Sequence, residues 1–256
     1  MVFAKLLISA IILFLLLSCI QAQKIAFGLK GGADTGTPYS KPKEGASGKL
    51  GKGGVFGAFL KHEFGKHFNI RFELFYSYKS ASFVTPISGD TVYAKTMMGN
   101  TYYIPTSYSG IARGTFKNEY LNLPVFLAYK AGKKFNFLAG PQVSYLLKGN
   151  NTGTADVNVG ADPNYPYTTV KDKPFDQSGK LNKWDYEVTC GVMFEAAKRL
   201  NFDLNFSYGL RSIYNKGYKN AGGTVRNIYL QLTLDFLLGR INKDADSEMK
   251  KNTPTQ

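Results

Sequence analysis

The stretch FNIRFELFYSYK, residues 68–79, alternates without a break. Phe68, Ile70, Phe72, Leu74, Tyr76 and Tyr78 share one parity; Asn69, Arg71, Glu73, Phe75, Ser77 and Lys79 share the other. A period of two over twelve residues specifies a β-strand, because successive side chains of a strand leave on opposite faces. One face is almost wholly apolar and the other carries charges of both signs. Whether the apolar face meets a protein core or lipid decides the architecture.

Seven more segments repeat the pattern, at 24–32, 53–64, 118–130, 135–148, 184–196, 200–212 and 225–236. Three of the connections between them are very short, at 65–67, 131–134 and 197–199, and four are long, at 32–52, 80–116, 149–183 and 213–224. Long and short alternate strictly. In an up-and-down barrel this gathers the tight turns and both termini at one end and the long loops at the other, the layout of an outer-membrane barrel. Most segments run to twelve residues or more. That suits a tilted membrane strand of ~9–11 residues better than a soluble strand of ~5–6. Gly28, Gly140, Gly191 and Gly209 share the charged parity, and small residues suit the crowded lumen of an eight-strand barrel. The Phe, Tyr, Leu and Trp of the other parity exceed what such a lumen holds. The expectation is an all-β, eight-stranded antiparallel up-and-down transmembrane β-barrel, with the apolar face in lipid and the charged face inside.

Composition agrees. The chain has 256 residues, a formal net charge of +14 and a mean hydropathy of −0.20. That is polar for a helical membrane protein, but only alternate residues of a barrel need be apolar. Lys and Arg are scattered through loops and turns rather than clustered on one element, so no nucleic-acid partner is expected. A basic shell beside anionic headgroups is the simpler reading. The opening MVFAKLLISAIILFLLLSCIQAQK places one lysine before an apolar run and then turns small and polar, as a secretory signal does. Cleavage is expected between Ala22 and Gln23. The rival is a lipobox reading of LLSC, which would lipidate Cys19. No other segment approaches the ~18 uninterrupted apolar residues of a membrane helix. The expected division is a signal peptide at 1–22, the barrel at 23–239 and a polar tail at 240–256. After cleavage at Ala22 only Cys190 remains, so no disulfide is expected. Cys190 lies on the lipid-facing parity between Val188 and Val192, where it acts as a small hydrophobe.

The candidate site is the polar network of the lumen: Arg71, Glu73, Asp185, Glu187, Asp203, Arg211 and Asp235, with Lys79 and Glu195 on the same parity. Charges taken from water must be paired, so the reading is a structural plug; the competing one is a small pore. His62 and His67 flank a tight turn on the expected periplasmic side. They are read as solvated turn residues, with no serine to pair with as a general base. GASGKLGKGG at 45–54 fails the P-loop spacing and is read as a flexible loop. The Tyr-rich stretch 91–110 offers possible contact anchors. The stretch 149–167 holds Asp156 and Asp162 without calcium-loop spacing. No catalytic residue, metal or cofactor is expected.

The phrases NEYLNLPVFLAYK, FLAGPQVSYLL, FDLNFSYGLRSIYN and RNIYLQLTLDF, with GLKGG just after the signal, resemble the PorT-like outer-membrane β-barrel family common in Bacteroidetes. The resemblance covers most of residues 24–238. It implies an eight-stranded barrel in the outer membrane and, through the founding member, a part in a secretion system that also supports gliding. One departure is the tail after the last strand, which leaves Phe236 as an internal version of the terminal aromatic. The leading expectation is a non-enzymatic integral barrel, structural or accessory in an envelope or secretion complex. The alternatives are surface recognition through the long loops and, third, a lipid-modifying enzyme. Expected partners are outer-membrane lipid including lipopolysaccharide, the barrel-assembly machinery and envelope secretion proteins. Expected topology places the long loops outside and both termini in the periplasm.

Overall fold

The computed structural model describes residues 24–39, 46–64, 66–97, 100–160, 168–215 and 224–242. The readings at Cys19, Ala22 and Gln23, and residues 243–256 of the tail, lie outside the described residues.

The strands in chain order are β1 (Lys24–Tyr39), β2 (Ser47–Lys49), β3 (Gly51–Phe64), β4 (Phe68–Met97), β5 (Asn100–Ala131), β6 (Phe135–Gly160), β7 (Thr168–Asp176), β8 (Trp184–Ala197), β9 (Leu200–Gly209) and β10 (Arg226–Asn242). All but β2 and β7 form an antiparallel up-and-down ring in which sequence neighbours are spatial neighbours. The ring closes where β1 pairs with β10, from Lys24 opposite Asn242 to Tyr39 opposite Arg226. The eight expected strands are therefore present, and their tight turns and both strand termini share one end.

Parity decides the faces as the sequence indicates. Leu232 is 56% exposed and Leu127 52%, whereas Arg71 and Ser77 are 0% exposed. Near the turns, Phe64, Phe68 and Tyr129 stack in a row, with Phe68 and Tyr129 centroids 5.3 Å apart, and Phe135 packs on Phe194 at 5.2 Å. Toward the loops lie Tyr76, Tyr145, Trp184 and Tyr186, with Tyr145 edge-on to Trp184 at 4.9 Å. On β4 the two girdles, at Phe68 and Tyr76, are about 26 Å apart along the strand, which a strand tilt of about 40° reduces to about 20 Å across the membrane, somewhat under the ~25 Å apolar band of such barrels.

The strands outrun the segments expected from sequence. Residues 80–116 are not a loop: β4 and β5 continue as one hairpin to Met97 opposite Asn100. The stretch 149–160 continues β6, and β7 pairs with it. Part of the 45–54 stretch is likewise strand, with Ser47–Lys49 on β4 and β3 starting at Gly51. Its glycines let backbones close up, since a Cβ at Gly51 would strike the Ser80 carbonyl. The physical reason for the longer strands is an inversion of the pattern. Above Lys79 the inward parity becomes Ala81 and Phe83 on β4 and Phe116 and Ala112 on β5, while Ser82, Lys117 and Arg113 face outward. Below that point the barrel is built for lipid outside; above it, for water outside. Finally, β10 runs to Asn242, three residues past the expected end of the barrel, because it must meet the start of β1 after a bulge opposite Phe27 and Gly28.

Candidate functional site

Inside the ring the side chains stack in layers from the turn end upward. At the bottom, Ala26, Phe59 and Leu237 form an apolar floor. The Phe59 ring lies against Gly28, where a Cβ would collide with it. The Arg71 guanidinium sits 4.3 Å from the Phe59 centroid. Arg71 is the hub of the next layer. Its Nε lies 2.7 Å from Glu73 Oε1, its Nη2 lies 3.2 Å from Asp203 Oδ2 and also meets Asp235, and its Nη1 donates to Met193 Sδ at 3.2 Å. Lys30 pairs with the second oxygen of Glu73. Arginine suits this position because its fork of donors serves several carboxylates at once. Phe126, Ala128 and Leu138 pack beside Met193 and fill the remaining space.

A second polar layer lies above. Lys79 is 3.6 Å from Glu187 Oε1 and 4.2 Å from the Tyr229 ring centroid. Gln142 donates to Glu187 Oε2 at 2.8 Å, Ser144 to Asn122 Oδ1 at 2.8 Å, and Asn227 to Asp185 Oδ2 at 2.6 Å. Asn227 and Asn118 both donate to the Tyr120 hydroxyl. Asp34 is buried, with its carboxylate against Gly53 and no hydrogen bond among the described residues. The buried layers hold Lys30, Arg71 and Lys79, with Lys61 at the lower rim, against Asp34, Glu73, Asp185, Glu187, Asp203 and Asp235, an acidic interior in a basic protein.

Above this the lumen ends. Leu181, Ile213, Tyr214 and Val225 fold in from the connections and pack with Ala81, Phe116, Tyr120 and Leu146. Backbone bonds tie this stopper, Asn182 N donating to Ile213 O at 2.7 Å and Ile213 N to Val225 O at 2.8 Å. Over it, the inverted parts of the strands enclose an open cup of about 550 Å³. On the outer face of these strands Arg113 donates to Asp156 at 2.7 Å, and Asp156 also accepts the amide of Asp172, whose φ is +53°. The hydrogen bond from Arg113, then the one from the Asp172 amide, hold the Asp156 carboxyl below its ordinary pKa.

The structure brings Arg71, Glu73, Asp203 and Asp235 together in one layer and Asp185 and Glu187 in the next. Arg211 is not among them. β9 ends at Gly209, Leu210 N bonds to Tyr186 O, and the alternation stops, so Arg211 is exposed and donates to Asn182. Glu195 sits at the lower rim, accepting from Asn136 at 3.1 Å. The residues missed are Lys30, Asp34, Tyr120 and Tyr229. Lys30 shares the parity of Gly28 and was legible from it. Asp34 lies two steps past the end assigned to the first segment. His62 and His67 engage rings at the turn end, Phe64 and Tyr129 respectively.

A closed ring with apolar side chains outward and paired charges within is an integral membrane β-barrel. Residues 21–215 match the family model of the outer membrane protein beta-barrel domain, and the chain belongs to that family. No curated protein matches the sequence. Among solved structures, the chain is similar to Ail, the attachment invasion locus protein of Yersinia pestis, at 9% identity and a TM-score of 0.38, covering 86% of this chain and 99% of that one. It is also similar to Neisserial surface protein A at 12% identity and a TM-score of 0.36, covering 84% and 96%.

Proposed function

We propose that this outer-membrane barrel is a non-enzymatic anchor that carries a recognition platform on its long-loop end, with that end facing the exterior and the termini in the periplasm. The observation that carries the reading is the inversion above Lys79. The hairpin of β4 and β5 continues well past the aromatic girdle, and above Lys79 it turns Ser82, Arg113 and Lys117 outward and Ala81, Phe83, Ala112 and Phe116 inward. That length of ordered strand is unnecessary for crossing a membrane and suits presentation of a fixed surface to a partner. Tight turns on the periplasmic side are the habit of such barrels. Lipid, including lipopolysaccharide, covers the apolar belt, and the barrel-assembly machinery inserts it.

Trypsin treatment of intact cells tests this. Cleavage is expected at Lys171 and Lys117, with Lys133, Lys134 and Lys198 cut only after the outer membrane is permeabilised. The reverse pattern inverts the orientation, and no cleavage at the long-loop end in intact cells ends the platform reading.

A second reading, an accessory role in an envelope secretion complex, is favoured by one feature of the turn end. A cleft of about 690 Å³ there is lined by Lys133, Lys134, Lys198, Arg199 and Arg240, with Glu195 its one acid. Such a surface suits an acidic periplasmic partner. Cross-linking in intact cells through these lysines, followed by purification, recovers that partner if this reading holds.

A further inference from the structure

We propose that the cup above the stopper is a binding site for a small aromatic monoanion. The inference does not depend on which end of the barrel faces outward.

Most of the cup's described lining lies on strands, with Ala46, Gln177, Tyr214 and Val225 coming from the connections. Its volume of about 550 Å³ falls in the ~300–1,000 Å³ range of small-molecule sites. The stopper closes its floor through Tyr214 and Val225, so it is a blind pocket rather than the mouth of a channel. Its walls are specialised. Phe83 lies 4.9 Å from Phe116 and 6.4 Å from Phe175, centroid to centroid, a tilted row of rings along one side. Two glycines make room for that row, because a Cβ at Gly114 would collide with the Phe83 ring and one at Gly153 with the Phe175 ring. Ala112 and Ala155, both buried, hold the neighbouring inward positions on β5 and β6. Large rings on small-residue beds leave flat space between aromatic surfaces, which a planar apolar body fills by offset or edge-on packing.

Polarity selects the rest of the ligand. Ser47, Ser88 and Tyr108 bring hydroxyls to the lining, and Lys173 is the one charged residue among the described residues that line the cup. The nearby Arg113 and Asp156 neutralise each other. A ligand with a single negative group beside its rings therefore meets a cation and donors, whereas a cationic ligand meets no carboxylate among the described lining residues.

The test uses the full mature chain in lipid nanodiscs, titrated calorimetrically with 2-naphthoate, with heats from empty nanodiscs subtracted. The expected result is saturable binding of one molecule per chain. Ala155→Trp, which places an indole in the cup, abolishes it while the heat-dependent gel shift of the folded barrel persists. Lys173→Gln, at an exposed site that the barrel fold does not need, weakens 2-naphthoate about fivefold and leaves 2-naphthalenemethanol unchanged. Absence of saturable heat above empty nanodiscs overturns the site. So does unaltered binding by folded Ala155→Trp. If that variant does not fold, unaltered discrimination between acid and alcohol in Lys173→Gln overturns it.

Discussion

Arg71 shows how much one side chain in a narrow lumen can organise. It holds Glu73, Asp203 and Asp235 at once and stacks on Phe59, which rests on Gly28. A glycine, a ring, a guanidinium and three carboxylates, drawn from five strands, thus form one column. Removing a partner from a buried ion pair costs about 3–5 kcal/mol, because the remaining charge is left uncompensated. Reversing Arg71 to Glu adds a fourth carboxylate where three already meet. Arg71→Glu is expected to abolish the heat-resistant folded band in detergent, whereas Lys49→Glu, on exposed β2, leaves it unchanged. Equal melting of the two variants shows that the column does not hold the barrel together. Most of this column was legible from alternation alone, since Arg71, Glu73, Asp203 and Asp235 fall on one parity in their segments. Their partnership was not, because alternation gives a residue's face but not its height in the ring. Arg211 shows the same limit. It follows the parity of Asp203, yet the strand has ended two residues earlier.

At the scale of the element, each long strand carries two codes in series. On β4, Phe68, Leu74 and Tyr76 face out, whereas higher up Ala81 and Phe83 face in. The first code is easily seen in sequence because it juxtaposes charge with Phe, Tyr and Leu. The second is carried by Ser, Thr, Gly and Ala alternating with a few rings. It reads as a loop, which is why the continuation of β4 and β5 through residues 80–116 escaped the sequence. The two codes respond differently to the same change. Leu123→Arg places a cation on the lipid face and is expected to cost about 2 kcal/mol. Ser82→Arg, outward but above the girdle, is expected to be near neutral. Denaturant unfolding of both variants in lipid vesicles checks this. Comparable losses would mean that Ser82 also faces lipid and that the boundary at Lys79 is misplaced.

As a whole molecule the barrel is filled. Apolar floor, Arg71 layer, Lys79 layer and stopper follow one another, and the open volume lies above them. Reconstituted in a planar bilayer, the purified protein is expected to give no unitary current steps. Steady steps of one amplitude would require a continuous water path past Arg71 and Tyr214. The seam adds a constraint of a different kind. β1 finds its second neighbour only in β10, at the far end of the chain. No nascent fragment that lacks the last strand can shut the ring, so every shorter product leaves two bare edges. Completion is therefore all-or-none with respect to synthesis, and a ribosome that stops before residue 226 yields nothing the membrane can keep. The same adjacency means that joining the ends and opening the chain at another tight turn would leave the circle of strands intact.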